Sequence, residues 1–287
     1  MIDPLSVCLV NGEPIGSDGV DVGDRGLRYG DGVFETLAIV DHQPTLWQRH
    51  LERLQRGAQR LGIEQPDLAQ ALHADIAQLT LPALGVLRIT LTRGSGGAGY
   101  AVPDHPAPRR IIQVLPPIQR PAQHWQAGID VITLTTRLAC QPALAGIKHL
   151  NRLEQVLGRQ EWNDPAIAEG LMVSTQDELI EATAANLLVE HQGELIIPDT
   201  QNCGVDGVMQ AWLVDQAQQQ GARVRRARLE AALPGDHALM LCNSLIGLWP
   251  VATIDGQSHP WPSWYAPLTI ALEQARIALT PTVMRCA

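Results

Sequence analysis

Apolar and polar positions alternate in short runs along much of this chain and switch to a helical period in between, which predicts interleaved strands and helices. Residues 7–10, then Asn11-Gly12, then 13–15 predict a β-hairpin, because Asn-Gly accepts the positive φ angles of a tight turn. Glycines at 23, 26, 30 and 32 punctuate the next stretch and predict a loop that runs into a strand near Phe34. Residues 46–61 place Trp47, Leu51, Leu54, Ala58 and Leu61 at helical spacing, and a second helix is expected over 66–79. Strands are expected over 86–92 and 109–115. In the second half they are expected over 128–136, 170–174 and 195–197, with a hairpin at His191-Gln192-Gly193. Helices are expected from about 148 to 162, from the glycine-bounded turn at 204–207 to about 220, and over 261–279.

Gly94, Gly96 and Gly99 spell Gly-x-Gly-x-x-Gly after a strand, the spacing of a dinucleotide loop. Such a site needs a helix next, and Pro103, Pro106 and Pro108 exclude one, so the segment reads as a loop. Pro116, Pro117 and Pro121 stiffen the backbone between the halves. The expected division is an N-terminal domain over 1–115, a linker over 116–122 and a second domain over 123–287.

Composition narrows the class. With 45% hydrophobic and 18% charged residues the chain can bury a sizeable core, and a net charge of -9 argues against a nucleic-acid or anionic-membrane surface. The first residues lack a basic stretch followed by a long apolar run, so no leader and no spanning helix is indicated, and a cytoplasmic protein is the expectation. Cys8, Cys140, Cys203, Cys242 and Cys286 are scattered without a Cys-x-x-Cys pair, which argues against a disulfide framework or a metal site.

Candidate chemistry centres on Lys148. Of 21 basic residues it is the one lysine, and only an amine, not a guanidinium, can form an imine. A codon bias towards arginine explains the count, taken alone, slightly better, but the surroundings change the odds. The run Lys148-His149-Leu150-Asn151-Arg152-Leu153-Glu154-Gln155 opens a helical pattern, which puts the amine at a helix mouth. Elsewhere, Arg49, Arg53, Arg56 and Arg60 form a stripe that periodicity reads only as a solvated face. Glu181 falls in a small, apolar stretch, where a carboxylate needs a partner, as a strand-end carboxylate also would. Asp206 before a helix is either an N-cap or part of an anion site. Cys242 or Ser244 offers a nucleophile, with no histidine in its segment.

Taken together, these segments resemble the fold-type IV pyridoxal-phosphate enzymes, and among them most closely the 4-amino-4-deoxychorismate lyases. The resemblance rests on the Lys-His-Leu-Asn-Arg-Leu-Glu-Gln run, on Arg25 with Gly30-Asp31-Gly32-x-Phe34-Glu35-Thr36, on Glu181 with Asn186-Leu187, on Gly204-Val205-x-Gly207-x-Met209, and on Cys242-Asn243-Ser244-Leu245. It implies an α/β (α+β) fold with a smaller N-terminal α/β domain and a larger, β-barrel-like C-terminal α/β domain, the cofactor pyridoxal 5'-phosphate between them, and a homodimer. It implies a Schiff base on Lys148, Arg53 on the phosphate, Glu181 on the pyridine nitrogen, and phosphate binding by the Val205 and Asp206 amides and by Ser244. Tyr29 and Tyr100 would face the substrate or the partner subunit, and the Leu245 amide a substrate carboxylate. The implied reaction converts 4-amino-4-deoxychorismate to 4-aminobenzoate and pyruvate, towards folate, by proton abstraction at the amine-bearing carbon. The chain departs from the family at Ala98, where an arginine is common, which puts the substrate in question. A fold-type IV aminotransferase acting on D-amino acids or amines is the second reading. A branched-chain aminotransferase ranks lower, since Leu153 stands where those enzymes have tyrosine. A cofactor- or metabolite-binding protein without turnover is a third.

Overall fold

The computed structural model describes residues 7–16 and 19–279; the first six residues, read above for a leader, and Cys286 lie outside them. The chain divides into two compact units, Met1–Ile118 with Ile147–Asn151, and Gln119–Gly146 with Arg152–Ala287. The lysine segment therefore packs with the first unit, although its neighbours on both sides belong to the second.

In the first unit the order is β1 (Val7–Val10), β2 (Glu13–Pro14), α1 (Arg25–Tyr29), β3 (Gly32–Val40), β4 (Gln43–Pro44), α2 (Trp47–Leu61), α3 (Leu68–Ala77), β5 (Leu84–Thr92) and β6 (Arg109–Leu115). Its six strands form an antiparallel sheet in the order β2-β1-β6-β5-β3-β4. The expected hairpin forms, with Asn11 at φ 50° and Gly12 at φ 87°. Strand alternation sends Val33, Leu37 and Ile39 of β3 into a core with Leu51, Leu54 and Ala58 of α2. The glycine-rich stretch is not all loop. Arg25–Tyr29 forms a helical turn, capped by the Asp24 carboxylate, which accepts the Gly26 N–H at 2.8 Å, and ended by Gly30 at φ 67°. No helix follows the glycines at 94–99, as the prolines require.

The second unit runs α4 (Gln123–Gln126), β7 (Ile129–Leu138), α5 (Leu153–Arg159), β8 (Ile167–Ser174), β9 (Leu179–Ala182), β10 (Asn186–His191), β11 (Glu194–Pro198), α6 (Val208–Gln219), β12 (Arg223–Ala227), β13 (Ala238–Asn243), β14 (Gly247–Ile254), β15 (Gln257–Ser258) and α7 (Tyr265–Ala275). Its strands form one curled, mixed sheet in the order β12-β11-β10-β13-β14-β7-β8-β9, with β15 on β14. Buried Leu, Ile and Val side chains from β7, β8, β10, β13 and β14 make its core. A small antiparallel sheet and a larger curled mixed sheet are the mixed α/β architecture the resemblance implies. No helix among the described residues is long and apolar enough to cross a membrane.

Candidate active site

Lys148 is not at a helix mouth. Helix α5 begins only at Leu153, and Lys148 lies in an extended segment laid against the start of β3. The Phe34 N–H donates to the Lys148 carbonyl at 2.9 Å, and the Leu150 N–H donates to the Gly32 carbonyl at 3.0 Å. Asn151 adds an Nδ2 donor to the Gly30 carbonyl at 3.1 Å. These bonds commit the backbone of 148–151 to β3 and the glycine turn, so the helical pattern starts later than its periodicity suggests. The Lys148 Nζ stands 4.5 Å from the centroid of the Phe34 ring, close enough for the ring face to attract an ammonium.

On α2 the structure separates Arg53 from its stripe. Arg53 is 6% exposed, whereas Arg56 and Arg60 are exposed and Arg49 is half-buried. Its partner is Glu35, which sits in the apolar row of β3. Arg53 Nε donates to Glu35 Oε1 at 2.8 Å and Nη2 to Oε2 at 2.5 Å, while His50 Nδ1 donates to Oε2 at 2.6 Å. Burial alone would raise the Glu35 carboxyl, but the Arg53 charge and the hydrogen bonds from Arg53 and His50 outweigh it and hold the pKa at about 2. Burial also pushes His50 below its usual value, against the pull of Glu35. Gly57 lets α2 approach this region, since a Cβ there would lie 2.9 Å from Val33 and 3.7 Å from Ile147.

A second charged network shapes the glycine turn. The Asp31 carboxylate of Gly30-Asp31-Gly32 accepts from Arg25 Nε at 2.8 Å and from Arg93 Nε and Nη2 at 2.8 and 3.0 Å. The remaining Arg25 donors reach the carbonyls of Gly96, Gly99, Tyr100 and Ala101, and so hold the 96–101 loop. Arg93 also donates to the Leu61 and Gly62 carbonyls at 2.7 and 2.8 Å, capping the C-terminal end of α2. The loop thereby brings Tyr100 to Tyr29, with ring centroids 5.3 Å apart. Glu35, His50, Arg25, Asp31 and Arg93 went unassigned in the sequence reading. Their signal was charge placed inside an alternating apolar strand or a glycine turn.

In the second unit, Glu181 on β9 is 5% exposed. Its Oε2 accepts the Val205 N–H at 2.8 Å and its Oε1 accepts from Gln155 Nε2 at 3.3 Å. The two amides expected on the phosphate both have acceptors within the chain. The Val205 N–H is committed to Glu181, and the Asp206 N–H donates to the Gly146 carbonyl at 3.0 Å. Asp206 is not the N-cap either: Gly207 caps α6, and Asp206 Oδ1 accepts from Thr200 Oγ1 at 2.6 Å. The N–H groups of Val208 and Met209, in the first turn of α6, find no acceptor among the described residues. Such amides suit an anion. Ser244, 9% exposed, follows β13, over which α6 packs. The Leu245 N–H, expected on a substrate carboxylate, instead donates to Asn243 Oδ1 at 2.9 Å, because the side chain of Asn243 closes this turn. Cys242 is fully buried and its thiol is pushed up by that burial, so it is no nucleophile.

Comparison with known proteins places the whole chain. The family profile described as Amino-transferase class IV matches residues 32–254. An aminodeoxychorismate lyase of Vibrio harveyi is 34% identical over 87% of this chain and 92% of its own. The crystal structure of 4-amino-4-deoxychorismate lyase from Pseudomonas aeruginosa superposes with a TM-score of 0.88 at 42% identity, covering 93% of this chain and 98% of that one. A D-alanine aminotransferase of Bacillus licheniformis is 24% identical over 83% of this chain and 84% of its own. With a family profile that spans residues 32–254 and a relative 34% identical over 92% of its own length, the chain belongs to the amino-transferase class IV family.

Proposed function

We propose that this chain is a pyridoxal-phosphate-dependent lyase that converts 4-amino-4-deoxychorismate to 4-aminobenzoate and pyruvate. The observation that carries the reading is the 42% identity to a lyase of that name over 93% of the chain, against 24 and 27% to a D-alanine and a putative branched-chain aminotransferase. The class IV family uses pyridoxal phosphate, and the chain's donors fit that group. It needs an amine, an anion site and a carboxylate for a ring nitrogen. The chain offers Lys148, its one amine; Arg53, the first-turn amides of α6 and Ser244 for the phosphate; and the buried Glu181.

When bound, the cofactor supplies a carbonyl that an amine can join and a ring that takes up electrons. Glu181 would keep the ring nitrogen protonated, since a buried carboxylate favours a cationic N–H beside it. Arg53 would turn the edge of its guanidinium that does not face Glu35 to a phosphate dianion, its direction fixed by the Glu35 pair. Lys148 Nζ, once displaced by the substrate amine, would take the proton from the amine-bearing ring carbon and return one to the departing enolpyruvyl group. Loss of that group leaves an aromatic ring, which drives the step. The protein would work as a homodimer. Exposed apolar side chains on each unit support this, including Leu27 and Tyr100 in the first and Leu153 and Leu157 in the second.

The test is an absorbance spectrum of the purified protein, followed by addition of 4-amino-4-deoxychorismate. A visible cofactor band that Lys148→Ala lacks, with 4-aminobenzoate and pyruvate formed in equal amounts, is the expected result. A band without those products, together with amine transfer from D-amino acids to a 2-oxo acid, would favour the aminotransferase reading, which the D-alanine aminotransferase similarity motivates.

A further inference from the structure

We propose that Arg28, held against Tyr29 beside Tyr100, is the group that takes the ring carboxylate of the substrate. The inference rests on the lyase reading above, and its chemistry extends to any flat aryl or cyclohexadienyl carboxylate.

Four arginines surround the glycine turn, and three of them are paired with a carboxylate. Arg25 and Arg93 share the Asp31 carboxylate, and Arg109 pairs with Asp24 at 2.5 Å. Arg25 is moreover buried at 4% exposure, with its donors used on the 96–101 carbonyls. Arg28 differs on both counts. It is exposed, and among the described residues its guanidinium meets no carboxylate and no carbonyl; its one contact is the Tyr29 ring, 5.1 Å from the centroid. The Arg25 guanidinium lies at the same distance from that centroid. Two cations on one ring repel each other, and only one has its counter-charge. In a chain of net charge -9, a dianionic substrate needs such a local surplus of positive charge.

The surroundings select the ligand. The Tyr29 and Tyr100 rings, tilted at 57°, give a flat molecule an aromatic wall, and a guanidinium beside that wall can grip a carboxylate in the plane of its fork. The turn that carries Arg28 is tied to the lysine segment within the same unit. Asn151 donates to the Gly30 carbonyl, and a Cβ at Gly30 would lie 2.6 Å from Asn151 Oδ1. In 4-amino-4-deoxychorismate the ring carboxylate is para to the amine, so it lies at the opposite end of the ring from the carbon that Lys148 serves. A cation on the turn outside the lysine segment meets that end.

The holoenzyme and its Arg28→Gln and Arg28→Lys forms test this with two probes that differ by the carboxylate alone, 4-aminobenzoate and aniline. Expected is a rise of about 10- to 100-fold in the dissociation constant of 4-aminobenzoate in Arg28→Gln, with partial rescue in Arg28→Lys and no change for aniline. KM for 4-amino-4-deoxychorismate should rise with it, more than kcat falls, and the cofactor band should be retained. Equal affinity for 4-aminobenzoate in the parent and Arg28→Gln overturns the proposal, whatever the turnover. Arg28-dependent binding of 4-aminobenzoate in a protein that does not turn over 4-amino-4-deoxychorismate sustains the carboxylate site and removes the lyase reading instead.

Discussion

Glu35 is a carboxylate at 1% exposure, shared between His50 and the fork of Arg53, and its cost of burial is offset only while both partners stay in place. Glu35→Gln removes the charge and leaves Arg53 buried without its anion, so the urea midpoint should fall by the equivalent of about 3–5 kcal/mol. The pH dependence has two limbs. His50 has a folded pKa below its usual 6.5, so the unfolded chain takes up a proton first and stability starts to fall as pH drops below about 6.5. Glu35 has a folded pKa of about 2 against 4.5, so its contribution is full above 4.5 and is lost as pH falls towards 2. Urea melts across pH should show the lower limb vanish in Glu35→Gln; an unchanged lower limb would show that Glu35 is not its source. None of this trio except Arg53 was legible beforehand. Periodicity made the four arginines equivalent, and Arg53 stood out only by resemblance. A glutamate in an alternating apolar row announces burial but not the helix residues that answer it.

At the scale of elements, turn chemistry and strand alternation were readable because their causes are local. Asn11-Gly12 turned as expected, β6 spans the expected residues, and α2 begins one residue late. The errors came where non-local bonds override a local pattern. Lys148 to Asn151 reads as helix but bonds to β3 and Gly30, and α1 was hidden by its glycines although Asp24 and Gly30 are a legitimate cap pair. Non-local bonds also shape the start of α6. Sequence places an anion near residues 205–206, and the structure shows those amides used by Glu181 and Gly146. The first-turn amides can be tested through the backbone. Val208 is the first helical residue after Gly207, whose φ of -71° and ψ of 130° tolerate a following proline. Val208→Pro should keep the helix, cost about 1 kcal/mol in packing, and weaken pyridoxal-phosphate binding about tenfold by deleting one N–H. Val208→Ala keeps the N–H and should retain the affinity. Equal cofactor titrations for both variants would remove α6 from the phosphate site.

For the whole molecule, composition bounded the class and a set of separated motifs in order named the family, which no single motif does. The mixed pairing of the larger sheet follows from its helical crossovers: β7 and β8 flank α5, β11 and β12 flank α6, and both pairs are parallel, whereas every pair in the smaller sheet is antiparallel. Partner chains leave a weaker trace, because an exposed leucine is ordinary on any surface. Here Val22, Leu27, Tyr100 and Val102 are all more than half exposed in the first unit, and Leu153 and Leu157 in the second. Sedimentation at micromolar concentration should therefore give twice the chain mass of 31.2 kDa, and Leu153→Glu with Leu157→Glu should shift it towards the single chain. A single-chain mass for the unaltered protein would sink the dimer.

The strand-edge position of the lysine segment has a practical corollary. A protease that cleaves only after lysine has one peptide bond to cut, Lys148–His149, and the Lys148 carbonyl on that bond is the acceptor of the Phe34 N–H. The bond must leave β3 before a protease can take it in extended form. Two fragments on a gel thus time the detachment of this segment from its sheet, with the chain's one lysine as the reporter.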